Sequence, residues 1–363
     1  AAMIEARAET IGSLIRPEYL IEARQRGTEM AAAEDRAVSD AIRLQENAGL
    51  EIITDGEMRR LSFQSQMTEA ISGFGQWDLD AFLWGEWMDG DGAALNRPRP
   101  ANMGVIGKLK ARRFLSAHEY KFLAANTSGT PKITLPSPTL FANFYDPELT
   151  GAAYPFLENL IADVTGILID EVRELARLGA RYIQIDAPHY PLLLQPKTAA
   201  FYEGLGWNSS EWLALSIEAD NAVMDAAPEI CFALHLCRGN SQGRWLAEGG
   251  YEDIAAQIFG RTRAARLLLE YDDARSGEFA PLAQVPADKW VTLGLISTKQ
   301  PELENLEMLC RRIDAASHYV PLERLAISPA CGFSPSVLAG GLRPSDQAAK
   351  LGLLTAVAAK VWG

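Results

Sequence analysis

CFALHLC, residues 231–237, is the stretch from which the fold of the chain can be worked out. It is too short for a helix, rich in Leu and Phe, and followed by Arg238-Gly239-Asn240, the pattern of a buried strand running into a loop. Residues two apart in a strand share a face. His235 and Cys237 therefore project together to one side, and Leu234 and Leu236 to the other.

Seven similar runs flank it: ETIGSL (9–14), EIITD (51–55), KITL (132–135), YIQID (182–186), RLLLE (266–270), WVTLGLI (290–296) and RLAIS (324–328). Helical patterns fill the gaps. Residues 161–178 are long and periodic with Gly179 placed as a cap, and 208–210 can cap a helix running on to 227. Further helices are expected at 251–263, at 302–316 and from Ser345 onward. Eight strands alternating with helices predict an α/β fold, a (β/α)8 TIM barrel spanning residues 1–363 as one domain. The alternative is an open doubly wound sheet, but no G-x-G-x-x-G follows the first strand.

One connection is oversized. Residues 56–131 hold Trp77, Trp84 and Trp87, and a loop of that length carries structure of its own or a function. A long insertion after the second strand is expected, with 58–130 as an excursion over the barrel mouth and a hairpin around 90–92.

Composition narrows the function. With 34 basic against 47 acidic residues, the net charge of −13 argues against a nucleic-acid partner. No run of eighteen apolar residues suggests a membrane span. The start, AAMIEARAET, carries Glu5 and Glu9 where a secretory leader needs an apolar run, so a cytoplasmic location is expected. Four cysteines in such a chain do not suggest a disulfide framework.

In a barrel of this kind the C-terminal strand ends line the active site. They carry Ser13, Asp55 with Glu57, Ser137, Asp186 with His189, His235 with Cys237, Glu270, Ser297 and Cys331. His235, Cys237, Glu270 and Cys331 supply an imidazole, two thiolates and a carboxylate, a ligand set suited to Zn²⁺. Two thiolates make zinc electron-rich, better suited to holding a substrate thiol as thiolate than to activating water. Alkyl transfer to sulfur follows as the expected chemistry. Cys231 and Cys310 lack such a context and read as packing residues.

The ordered pieces IGS (11–13), DGE (55–57), QIDAP (184–188), HLCRGN (235–240), LEYD (269–272) and CGF (331–333) resemble the catalytic barrel of cobalamin-independent methionine synthase. The AEGGYE, DDARSGEF and ISPACGF segments are similar to its short, single-barrel relatives. That family transfers a methyl group from a folate to homocysteine, with zinc activating the thiol. The resemblance implies Zn²⁺ on His235, Cys237, Glu270 and Cys331, the amino-acid carboxylate at Ile11, Gly12 and Ser13, and its ammonium on Glu57 and Asp186. It also aligns Phe144 with the family's pterin-stacking tryptophan. Three departures stand out. The second barrel of the full-length enzyme is not matched, Ala187 replaces an acidic residue, and Ser297 in LISTK stands where a histidine is expected. His189 then becomes the candidate for assisting proton delivery.

The expected partners are a small thiol, homocysteine, and a methyl donor: a methylated folate, a corrinoid protein or another small donor. The oligomeric state is left open. Alternative readings are alkyl transfer to a different thiol, as in epoxyalkane:coenzyme M transferase, a metal-free lyase resembling uroporphyrinogen decarboxylase, or a thiol- or zinc-binding barrel without catalysis. Glu57 and Asp186 disfavour the first, because two carboxylates repel a sulfonate, and the four ligands disfavour the second.

Overall fold

The computed structural model describes residues 1–75, 84–99, 103–241, 243–273, 276–338 and 340–363. Trp77 lies outside these. Seven parallel strands form one sheet in chain order: β1 (Ile52–Ile53), β2 (Thr130–Pro136), β3 (Tyr182–Asp186), β4 (Cys231–Leu236), β5 (Arg266–Glu270), β6 (Trp290–Ile296) and β7 (Leu325–Pro329). Parallel neighbours need crossovers. Helices Leu157–Arg177, Ser209–Asp225, Glu252–Ile258 and Leu306–Ser317 provide four of them, with a 3-10 turn at Ala280–Gln284 between β5 and β6. Helix Met30–Asn47 precedes β1 and Pro344–Trp362 follows β7. The sheet is that of a TIM barrel.

The first expected strand, 9–14, is corrected. Instead of a ladder, one parallel bridge just before it joins Ala8 to Ile327 of β7, and the Glu9 N–H reaches the Ile327 carbonyl (3.2 Å). At its other end the Leu14 N–H reaches the Gly56 carbonyl (3.0 Å), just beyond β1. The segment thus spans the two edges of the sheet without regular pairing. Side chains take over its middle: the Thr54 hydroxyl donates to the Gly12 carbonyl (2.8 Å).

Alternation fixes what faces inward. Cys231 and Ala233 pack with Tyr182, Leu268 and Ile52 inside the sheet, whereas Leu234 and Leu236 join the larger core shared with the helices. Among the interior residues, Glu9 receives the Tyr182 hydroxyl (2.9 Å) and faces Lys132 (3.4 Å) and Arg266 (3.5 Å).

The insertion contains helix Ser65–Ala70, the antiparallel pair Ile71–Phe74 and Val105–Ala111, and the hairpin Gly85–Met88 with Ala94–Arg97. Asp89 closes the hairpin turn by accepting from the Asp91 and Ala93 N–H groups. Met88 pairs with Trp245 in the loop after β4. A Cβ at Gly239 (φ +91°) would lie 3.2 Å from the buried Trp87 ring, so glycine allows that ring to seat.

Candidate metal and thiol site

Asp186 and His235 are register partners at the ends of β3 and β4. Cys237 follows β4, and Cys331 sits just past β7. The ligand atoms of His235, Cys237 and Cys331 all lie within 4.8 Å of one another, and all three residues are buried. The His235 Nδ1 faces the Leu268 carbonyl (3.3 Å), while Nε2 is buried without a hydrogen-bond partner. An orphaned imidazole nitrogen costs free energy unless something occupies it. With Nδ1 engaged by a carbonyl, Nε2 is the nitrogen left for a metal.

The two cysteines divide a proton unequally. Contact with the Cys331 thiol, reinforced by His235, holds Cys237 well below the usual thiol range. The same contact, together with burial, pushes Cys331 well above it. Burial acts to lower His235, but the Cys237 thiolate, Asp186 and Glu270 outweigh it and raise the imidazole. One imidazole and two sulfurs converging in an enclosed, electronegative space fit a soft, tetrahedral cation such as Zn²⁺.

Glu270 is beside this group but turned from it. Its Oε2 accepts the Arg238 N–H (2.8 Å), and its Oε1 lies 3.4 Å from Lys299 Nζ. The three-residue donor cluster does not include it. The sequence reading missed Lys299, looking instead at Ser297, whose hydroxyl accepts the Lys299 N–H (3.1 Å).

The three donors open onto a chamber of about 900 Å³, counted out to its mouth. Ile11, Ser13, Glu57, Asp186 and His189 also line it. Ser13 Oγ accepts the Ser334 N–H (3.2 Å) from the loop carrying Cys331, leaving its own proton to donate. Gly12 is not in the wall; a Cβ there would lie 2.7 Å from Glu57 Oε1, so its hydrogen makes room for that carboxylate.

Glu57 has φ +55°, unusual for a residue with a side chain. Arg16 holds the bend by donating to the Glu57 carbonyl (2.9 Å). Glu57 Oε1 accepts the Thr134 hydroxyl (2.8 Å), and Oε2 is buried without a partner. Arg59 pairs with Glu34 and Asp35 instead; the neighbouring guanidinium is that of Arg60, 3.7 Å away and engaged by Glu119. Asp186 accepts the Gln184 amide (2.7 Å). Burial pushes Asp186 up to about 7, with Glu57 adding to the rise and His235 opposing it.

His189 lines the chamber, its Nε2 paired with the Thr139 hydroxyl (2.7 Å) and its Nδ1 unpartnered. Phe144 is placed elsewhere. It is fully buried, stacked on Phe141 with centroids 5.7 Å apart, and Leu140 and Asn143 of the same 3-10 turn take the chamber wall instead. A period-three turn brings only some of its side chains to any one face. The sequence reading also missed Phe63 and Gln64, which reach the wall because Phe63 N–H bonds to the Pro335 carbonyl (2.9 Å).

Comparison with known proteins identifies the family of the chain. A family model described as the catalytic domain of cobalamin-independent synthase matches residues 13–338. The chain is 32% identical over 368 residues to the uncharacterized protein YxjH of Bacillus subtilis (strain 168), covering 98% of this chain and 94% of that protein. It is 26% identical over 330 residues to a methionine synthase of Pyrococcus horikoshii, covering 89% of this chain and 84% of that one. Its fold is similar to that of a B12-independent methionine synthase from Shewanella sp. W3-18-1 in complex with selenomethionine, with a TM-score of 0.74, 22% identity, and coverage of 99% and 98% of the two chains. From its strand ends to its thiol cluster, the chain belongs to the cobalamin-independent methionine synthase family through that catalytic domain.

Proposed function

We propose that the chain is a zinc-dependent S-methyltransferase that methylates the thiol of homocysteine, taking the methyl group from a methylated folate or another small donor. The observation that carries this reading is the convergence of His235, Cys237 and Cys331 on one point, with His235 Nε2 left without a partner. Zinc bound there lowers the pKa of a substrate thiol and leaves it nucleophilic at neutral pH. Glu270 is the fourth candidate ligand.

The chamber's other groups orient an amino acid. In this reading Glu57 and Asp186 receive the ammonium, a charge-assisted pairing supported by their position in the chamber wall and by the unpartnered Glu57 Oε2. Asp186, held up to about 7 by burial, gives up its proton as that cation arrives. Ser13 donates its hydroxyl proton to the substrate carboxylate and so fixes its orientation. Two carboxylates in the wall favour an amino-acid thiol over a sulfonate thiol. From the insertion, Ser62, Phe63 and Gln64 contribute to the chamber wall.

Metal analysis of the purified protein is expected to give about one zinc per chain, falling below ~0.1 in His235→Asn and Cys331→Ala. X-ray absorption should gain one sulfur neighbour when homocysteine is added, and methionine should form with a methylated donor. A protein without zinc, or one whose zinc spectrum ignores homocysteine, would refute the reading.

A further inference from the structure

Glu270 is fully buried, and its surroundings supply more than a metal position. Lys299, also buried, sends its ammonium to 3.4 Å from Glu270 Oε1 and 3.7 Å from Asp272 Oδ2. The Arg238 N–H takes Oε2 at 2.8 Å. With Glu270 held this way, the other three donors still converge within 4.8 Å. Lys299 is not among the residues lining the chamber; its charge acts on Glu270 and also on Cys331.

Charge explains why such a lysine is needed. A dication with two thiolates is neutral, and a carboxylate ligand makes the group anionic. Were a substrate thiolate to take the carboxylate's place, Glu270, fully buried, would keep its charge away from water. Leaving a buried carboxylate without a counter-charge is strongly disfavoured, which would hold Glu270 on the metal and shut out the thiol. A cation already within reach removes that penalty.

We propose that Lys299 is a positioning residue that receives the Glu270 carboxylate and so keeps one metal position exchangeable for the incoming thiol. This rests on the zinc–thiol reading above. It predicts two effects of opposite sign when the charge is removed. In zinc-free Lys299→Met, Glu270 loses its cation, so zinc binds more tightly. In the zinc-loaded variant, release of Glu270 is costlier, so the thiol binds more weakly.

The test uses full-length wild type, Lys299→Met and Lys299→Arg. Zinc affinity is measured by chelator competition without thiol, and sulfur entry by zinc X-ray absorption during a homocysteine titration. Lys299→Met should bind zinc about tenfold more tightly and need about tenfold more homocysteine, the scale on which partners of metal ligands act. Lys299→Arg should restore both to within about threefold, since it keeps the charge.

In a Glu270→Gln background, Lys299→Met should leave the thiol titration unchanged, because no carboxylate then needs a counter-charge. Unchanged values in Lys299→Met, a weakening of both zinc and thiol binding, or an undiminished effect in the Glu270→Gln background would overturn the role. Failure of sulfur to enter even in zinc-loaded wild type would instead strike at the thiol-activation reading itself.

Discussion

Burial pushes the His189 imidazole down to about 3, so its ring is neutral at physiological pH. A neutral ring tied to Thr139 is a hydrogen-bond partner for a ligand and a poor source of protons. Its ¹⁵N shifts should show no inflection between pH 5 and 8; an inflection near 6.5 would restore it as a general acid. The unfolded chain takes up this proton at about 6.5 and the folded one only near 3, so between those values the unfolded state binds more protons. Stability from this residue is therefore complete above about pH 6.5 and is lost as the pH falls toward 3. His189→Gln should flatten that limb of the stability profile in urea titrations. Gly12 offers a steric test of the ammonium site. Gly12→Ala brings a Cβ to 2.7 Å from Glu57 Oε1 and 3.0 Å from Thr134 Cγ2. It should weaken methionine binding by ~1–3 kcal/mol, the usual cost of overpacking, as read by calorimetry; unchanged binding would remove Glu57 from the substrate site.

At the level of elements, the hairpin and the loop after β4 form one unit. Trp87 is fully buried, Arg97 stacks its guanidinium 5.2 Å from the Trp87 ring centroid, and Met88 and Trp245 exchange backbone hydrogen bonds (2.8 and 3.0 Å). Trp87→Ala should therefore speed amide exchange in 85–97 and 238–247 together, while β2 to β7 keep their protection. Faster exchange in the hairpin alone would mean that the two segments are independent. Asp89-Gly90-Asp91-Gly92 made the hairpin legible, because local turn chemistry specifies it. Its docking site was not legible, since a turn sequence does not encode which distant loop its tryptophan covers. The 3-10 turn at Pro138–Phe144 makes the same point: a residue-by-residue alignment led to Phe144, but the turn's orientation gives the wall to Leu140 and Asn143.

For the molecule as a whole, a buried charge group ties the first segment to β2 and β5. Glu9 faces Lys132 and Arg266, and none of the three lines the chamber. Glu9→Gln leaves two buried cations without their carboxylate and should cost about 3–5 kcal/mol in chemical denaturation. A loss under ~1 kcal/mol would show that the cations find compensation elsewhere. The β/α alternation, the shared face of His235 and Cys237 and the packing role of Cys231 were determined by the sequence alone, because strand and helix periods are properties of the local backbone. The order of His235, Cys237 and Cys331 along the chain was equally visible. Only the tertiary structure decided that residues 8–14 join the sheet's two edges through a single bridge and isolated hydrogen bonds, that Thr139 holds His189 from fifty residues away, and that Lys299 faces Glu270. Such pairings depend on how separate strands and loops pack around one chamber, and spacing along the chain carries no record of that distance in space.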